Sequence, residues 1–211
     1  MACDHIGYAF LGRFSFYNLV GRIAFPLFAF QSVQGYLHTK SFAKHIKKLL
    51  IFACISQIPF MLFLSTFSTD IFRLNVLFTF LLGMFSIYVY DKAKNKKVGI
   101  LYTLLLAVIA EFVNCDYGMY GVLLIFAFYL FRNNKKIMYI AAALLTFIKY
   151  LINIIIVPSY TSRFLISFVF TCIPLIFIHF YNKKEGPKAK YLFYVFYPAH
   201  LFILWAVHMF I

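Results

Sequence analysis

Charge is what this chain has least of. Asp, Glu, Lys and Arg make up only 12% of its 211 residues, about half the share of a soluble globular domain. Six are acidic, against twenty Lys and Arg. So little charge excludes an ordinary water-soluble domain. Metal-binding and redox motifs are missing as well. Cys3, Cys54, Cys115 and Cys172 are scattered without a C-x-x-C pair, so no metal site is expected and the cysteines read as packing residues. No cleavable signal peptide is expected either, because the first apolar stretch holds Asp4 and His5 and has no basic start. No internal repeat relates the two halves, which counts against a repeat-built transporter.

What the chain does have is apolar length: 64% of residues are hydrophobic and the mean hydropathy is +0.87. The apolar residues come in runs of about 14–22, and runs near 20 cross a hydrocarbon core of about 30 Å as helix. The fold class is therefore all-α: a polytopic helical membrane protein of about nine transmembrane helices in one integral domain, residues 1–211. The spans fall near 1–17, 19–37, 46–64, 74–90, 98–113, 118–131, 137–157, 163–181 and 191–210.

The net charge of +14 does not mark a nucleic-acid binder, because it is clustered between the spans. "HTKSFAKHIKK", "DKAKNKK", "RNNKK" and "NKKEGPKAK" hold fifteen of the twenty basic residues and follow every second span. By the positive-inside rule these linkers are cytoplasmic in the cell membrane, with the N-terminus inside and the C-terminus outside. The exceptions are Arg13, Arg22, Arg73, Lys149 and Arg163. Arg13, Arg73 and Arg163 lie near outer helix ends, where long side chains snorkel. Lys149 lies deeper and is a candidate counter-ion for Glu111 or Asp116.

Several polar groups lie at membrane depth, where each needs a partner or a wet cavity. Asp4 and His5 stand some 12 residues below the outer end of span 1, about 18 Å, which is close to mid-bilayer. The numbered chain thus reads as lacking the cytoplasmic half of its first helix. His200, two residues after Pro198, sits about 14 Å into the last span, at similar depth. Asp4 and His5 point about 100° apart on a regular helix, so Asp4 is better placed to neutralise Arg22 than to orient His5. Gln31, Gln34 and His38 form a polar stripe on one helix face. Arg22 joins that face only if Pro26 bends or unwinds the helix. At the outer level, "EFVNCDYGMYG" gathers Glu111, Asn114, Asp116 and Tyr117, and Asn75 heads span 4 as a cap or a site residue.

These residues also carry a resemblance. "DHIG", "GRIAFPLFAFQSVQGYLHTKSFAKHIKKLLIFACISQIPF", "NVLFTFLLG", "DYGMYGVLLI" and "KYLFYVFYPAHL" follow the order and character of the TraX family. The resemblance runs from Asp4 to about Leu204. It implies a membrane acyltransferase that takes an acetyl group from cytosolic acetyl-CoA and passes it to an acceptor in or across the bilayer. The family's founding member is associated with N-terminal acetylation of conjugative pilin. The resemblance puts function on Asp4, His5, Arg22, His38, Asn75, Asp116 and His200.

Acyl transfer needs a base for the acceptor proton and donors for the developing oxyanion. His5 or His200, with Asp4 nearby, is the candidate base or transient acyl carrier. Arg22, Asn75, Asp116, Tyr117, Gln31 and Gln34 are candidates for binding the acceptor. His38, Lys40 and Lys44 are candidates for the phosphates of acetyl-CoA. Two other readings stay open: a small secondary transporter relaying protons through Asp4, Arg22 and His200, and a non-catalytic membrane assembly partner.

Overall fold

Side-chain caps set where the apolar runs become helices. In a computed structural model, which describes residues 1–12, 14–182, 184 and 190–211, Ser15, Ser41, Asn75, Asn95 and Asn134 each accept a backbone N–H from the first turn of a helix. Such caps satisfy donors that a helix start leaves bare. The helices are α1 Ala2–Ile6, α2 Phe16–Gly21, α3 Ala24–His38, α4 Phe42–Leu64, α5 Val76–Lys92 and α6 Lys96–Phe112. They continue with α7 Gly118–Leu130, α8 Lys135–Ile156, α9 Thr161–Cys172, α10 Pro174–His179 and α11 Lys190–Phe210. Among the described residues there is no strand beyond a single bridge, Leu74 to Cys115. Arg13, Lys183 and Lys188 lie outside the described residues.

The all-helical fold agrees with the sequence, while the expected count of about nine crossings is matched by length and apolarity at three helical runs. Among the described residues, Phe42–Leu64, Lys135–Ile156 and the run Pro158–His179 are long and apolar enough to span a bilayer. The reasons are local. Span 1 is one turn of α-helix followed by a π-helical turn, Gly7–Leu11, ending at Gly12 with φ 78°. Span 2 is interrupted at Arg22–Ile23. With 17 residues each, α5 and α6 rise about 25 Å, short of a full core.

The interior is built from α3, α4, α5, α7 and α11, with Phe25, Val33, Phe63, Met84, Leu124, Phe128 and Leu201 buried among them. The outward faces remain apolar: α6 exposes Leu101, Leu104, Leu105 and Val108, and α8 exposes Ile140, Leu144, Ile148 and Ile155. Stripes of that size on a water-soluble monomer are rare, and lipid is the solvent that suits them.

The two ends of the bundle are tied differently. At the lysine-poor end, Leu74 N–H donates to Asn114 C=O at 3.0 Å and Asp116 N–H donates to Leu74 C=O at 2.9 Å. At the lysine-rich end, Asp91 accepts hydrogen bonds from Tyr36 and Tyr129, joining α3, α5 and α7 through side chains.

Candidate functional site

The site starts with glycine. A Cβ on Gly21 would overlap the Cα and Cβ of Asp4, and one on Gly7 would press on Asn18 and Ser15. Only with both positions bare does α1 lie directly on α2. Asn18, 2% exposed, fills that contact: its Nδ2 donates to the Asp4 carbonyl at 2.9 Å and to Asp4 Oδ1 at 3.1 Å. Asn18 itself is fixed by a reciprocal capping box with Ser15.

Asp4 and His5 diverge as helical neighbours must. Asp4 faces Arg22, Oδ2 to Nη1 at 3.9 Å, and Arg22 Nη2 donates to the Tyr8 hydroxyl at 2.7 Å. Helix α3 begins past the break at Arg22–Ile23, and Pro26 has no N–H to give the Arg22 carbonyl. Arg22 thus turns to α1 rather than joining the stripe of Gln31, Gln34 and His38.

His5 faces the other way, to α11. Its Nδ1 lies 2.8 Å from His200 Nε2, and both rings are buried, with Phe63 and Phe196 against them. The partners fix the tautomers. His200 Nδ1 lies 2.7 Å from the Phe196 carbonyl, which only accepts, so that nitrogen carries the hydrogen. In the neutral ring Nε2 is then bare and accepts, so His5 Nδ1 must donate. The hydrogen bonds run from His5 through His200 to the Phe196 carbonyl, and they leave His5 Nε2 with a free lone pair.

The TraX protein family profile matches residues 1–208. The chain belongs to the TraX family. It is also similar to the probable fimbrial assembly protein FimC, serogroup H1, of Dichelobacter nodosus: 31% identical over 229 residues, covering 100% of this chain and 92% of that protein. No solved structure matches it.

Around the histidine pair, this TraX-family chain places the other candidates unevenly. Asp116 and Tyr117 lie at the lysine-poor end beside a second polar cluster. Arg73 lies 3.8 Å from Asp116 and 3.7 Å from Asp70. Burial pushes the Asp116 carboxyl up to about 6, against the pull of Arg73. Tyr117 stacks on Phe25, with ring centroids 3.6 Å apart. Lys149 forms no ion pair within 4.0 Å with Glu111 or Asp116 among the described residues, although both acids act on it electrostatically, and Glu111 accepts from Met119 N–H. The Lys149 ammonium lies over Tyr117, Tyr120 and Tyr150.

Of the two readings of Asn75, helix cap or site residue, the cap is seen. Asn75 is fully buried, caps α5 at Leu77, and donates to Ala53 C=O at 2.8 Å and to Gln57 Oε1 at 2.9 Å. Both amide hydrogens are thereby committed within the fold. Asn75→Ala is expected to cost about 1–3 kcal/mol of stability with no change in ligand affinity, measured by thermal unfolding and ligand titration.

Gln31, Gln34 and His38 are not brought to the histidine pair. Gln31 is exposed, His38 bonds back to the Gln34 carbonyl at 2.8 Å, and Arg22 stands 16 residues from His38, about 24 Å along the chain. Lys40 and Lys44 are exposed at the same far end.

Sequence reasoning missed Asn18, Tyr8 and Gln57. Asn18 carries a readable signal, the S-x-x-N start of α2, but nothing in sequence ties it to Asp4. Tyr8 and Gln57 carry none.

Proposed function

We propose that this protein is a membrane-embedded acyltransferase that moves an acetyl group from cytosolic acetyl-CoA to an amine or hydroxyl of an acceptor in or across the membrane. One observation carries the reading: among the described residues His5 Nε2 has no hydrogen-bond partner in its buried setting, and His200 holds the ring in one tautomer. Family membership and the similarity to a fimbrial assembly protein favour a protein acceptor in pilus assembly.

In the step, the acceptor N–H or O–H gives its proton to His5 Nε2 as the acceptor attacks the thioester carbonyl. The C–S bond breaks, and coenzyme A leaves as thiolate and takes the proton back from His5. Direct attack by Nε2, forming a transient acyl-imidazole, uses the same lone pair. Arg22 sits beside Asp4 and Tyr8, where a guanidinium steadies developing oxyanion charge. The basic linker at His38–Lys48 faces the cytoplasm and meets the phosphates of acetyl-CoA.

A proton-relay transporter is less well served. The hydrogen bonds of His5 and His200 end on a backbone carbonyl, which has no proton to pass on.

The test is thermal stabilisation of the purified protein. Acetyl-CoA at about a hundred times its Kd is expected to add about 2.7 kcal/mol, and free coenzyme A less. No response to either ligand, together with proton-driven uptake in proteoliposomes, overturns the reading.

A further inference from the structure

Where α5 turns into α6, at the lysine-rich end, a groove of about 470 Å³ is lined by Tyr88, Val89, Lys92, Lys94, Val98 and Tyr102 among others. Its wall is fixed from behind. Tyr88 stacks on Phe42 with ring centroids 4.3 Å apart and planes 2° from parallel. The lysines of this turn divide the work. Lys96 Nζ donates to the carbonyls of Tyr90 at 2.9 Å and Asp91 at 3.2 Å, so it ties the end of α5 to the start of α6. Lys92 and Lys94 are left on the groove, both exposed, with the Lys92 ammonium 6.0 Å from the Tyr88 ring centroid. Among the described residues neither has a carboxylate within 4.0 Å. Asp91, the only acid between Asp70 and Glu111 in the sequence, is turned to the hydroxyls of Tyr36 and Tyr129. The charge on this groove is therefore positive and locally unopposed.

The other side of the groove is apolar and continues along α6. Val98, Tyr102, Leu105 and Ile109 recur at spacings of 4, 3 and 4, which sets them on one helix face, and all four are exposed. A soluble phosphate would satisfy the lysines and leave this stripe bare. A neutral apolar chain would cover the stripe and leave the lysines unopposed. An amphipathic anion covers both, and basic groups at a membrane surface attract anionic lipid.

We propose that this groove binds an anionic phospholipid, with its phosphate between Lys92 and Lys94 and an acyl chain along Val98, Tyr102, Leu105 and Ile109. Lysine suits the headgroup because its ammonium is a compact point charge with three donors on a flexible stem. The tyrosines sit at the junction of charge and apolar stripe, the level that their amphipathic rings favour in a bilayer. A lipid held there braces Tyr88 and, through Phe42, the start of α4. The groove shares no residue with the histidine pair, so the proposal stands or falls apart from the acyltransferase reading.

The experiment uses the full chain in neutral detergent micelles without acetyl-CoA. Phosphatidylglycerol, phosphatidylcholine of matched chains, and chain-free glycerol phosphate are added separately. Phosphatidylglycerol is expected to raise Tm by on the order of 3 °C beyond phosphatidylcholine, and glycerol phosphate to leave it unchanged. Native mass spectrometry of the same samples counts retained lipid, so a variant with an altered baseline Tm still gives a reading.

The double variant Lys92→Gln/Lys94→Gln is expected to bind phosphatidylglycerol at least about tenfold more weakly, and Lys92→Arg/Lys94→Arg to keep most of the binding. Lys135→Gln/Lys136→Gln removes the same charge from another basic linker and is expected to change nothing. Equal effects of the two lipids, or equal losses in both glutamine double variants, overturn the site and leave only bulk attraction. A Tm rise with glycerol phosphate matching that with phosphatidylglycerol overturns the lipid assignment in favour of a soluble phosphate.

Discussion

Replacing His5 by alanine is expected to lower acetyl transfer by about 10³-fold or more, within the span of general-base effects, while the protein still inserts and stays folded. The two histidines are unequal despite their shared hydrogen bond of 2.8 Å. His5 owns the free lone pair; His200 spends one nitrogen on the Phe196 carbonyl and the other on His5. His200 is therefore a positioning residue, and His200→Ala is expected to cost about 10- to 100-fold, as orienting partners do. His200→Gln discriminates further, because an amide oxygen still accepts from His5 Nδ1. It is expected to recover most of the lost rate, whereas His5→Gln recovers none. The measurement is release of coenzyme A from acetyl-CoA by each purified variant. Equal losses in His5→Ala and His200→Ala, without rescue by glutamine, would refute the assigned roles.

Asp4→Ala is expected to be the most destabilising single change, by about 3–5 kcal/mol, the usual result of stripping one partner from a buried ion pair. The side chains of Arg22 and Asp4 are only 21% and 11% exposed, and Asp4 also accepts from buried Asn18. Removing the carboxylate strands a guanidinium and an amide at once. Adding Arg22→Met removes the stranded charge, so the double variant is expected to be more stable than Asp4→Ala alone. Unfolding midpoints in detergent, compared as a double-mutant cycle, read this coupling. A double variant less stable than either single one would show that Arg22 is held by something other than Asp4.

Some of this site was legible in the sequence and some was not. Depth arithmetic placed His5 and His200 at one level, because helical rise is the same in every span. The 100° step between neighbours sent Asp4 to Arg22, and both juxtapositions are found. One helix start was also legible, since Asn75 heads an apolar run and caps it. What failed was tertiary in origin. Asn75 looked free to bind a ligand, yet Gln57, eighteen residues earlier, occupies it across two helices. Lys149 was a candidate counter-ion for Asp116, and what the sequence hid is that Arg73 lies closer to that acid while the lysine lies over three rings. About nine spans were expected because composition records apolar content rather than breaks. The π-turn at Gly7–Leu11 and the interruption at Arg22–Ile23 are decided by packing against Asn18, Asp4 and Tyr8.

The bridge between Leu74 and Cys115 bears on how the protein can be labelled. It joins the 65–75 and 113–117 connections through main-chain atoms, so their relative register is fixed to the residue. An epitope or fluorophore inserted into either would shift a backbone partner and drag α5 or α7 with it. The connection at Phe131–Asn134, with Arg132, Asn133 and Asn134 exposed, makes only local backbone hydrogen bonds among the described residues. A reporter of membrane sidedness belongs there.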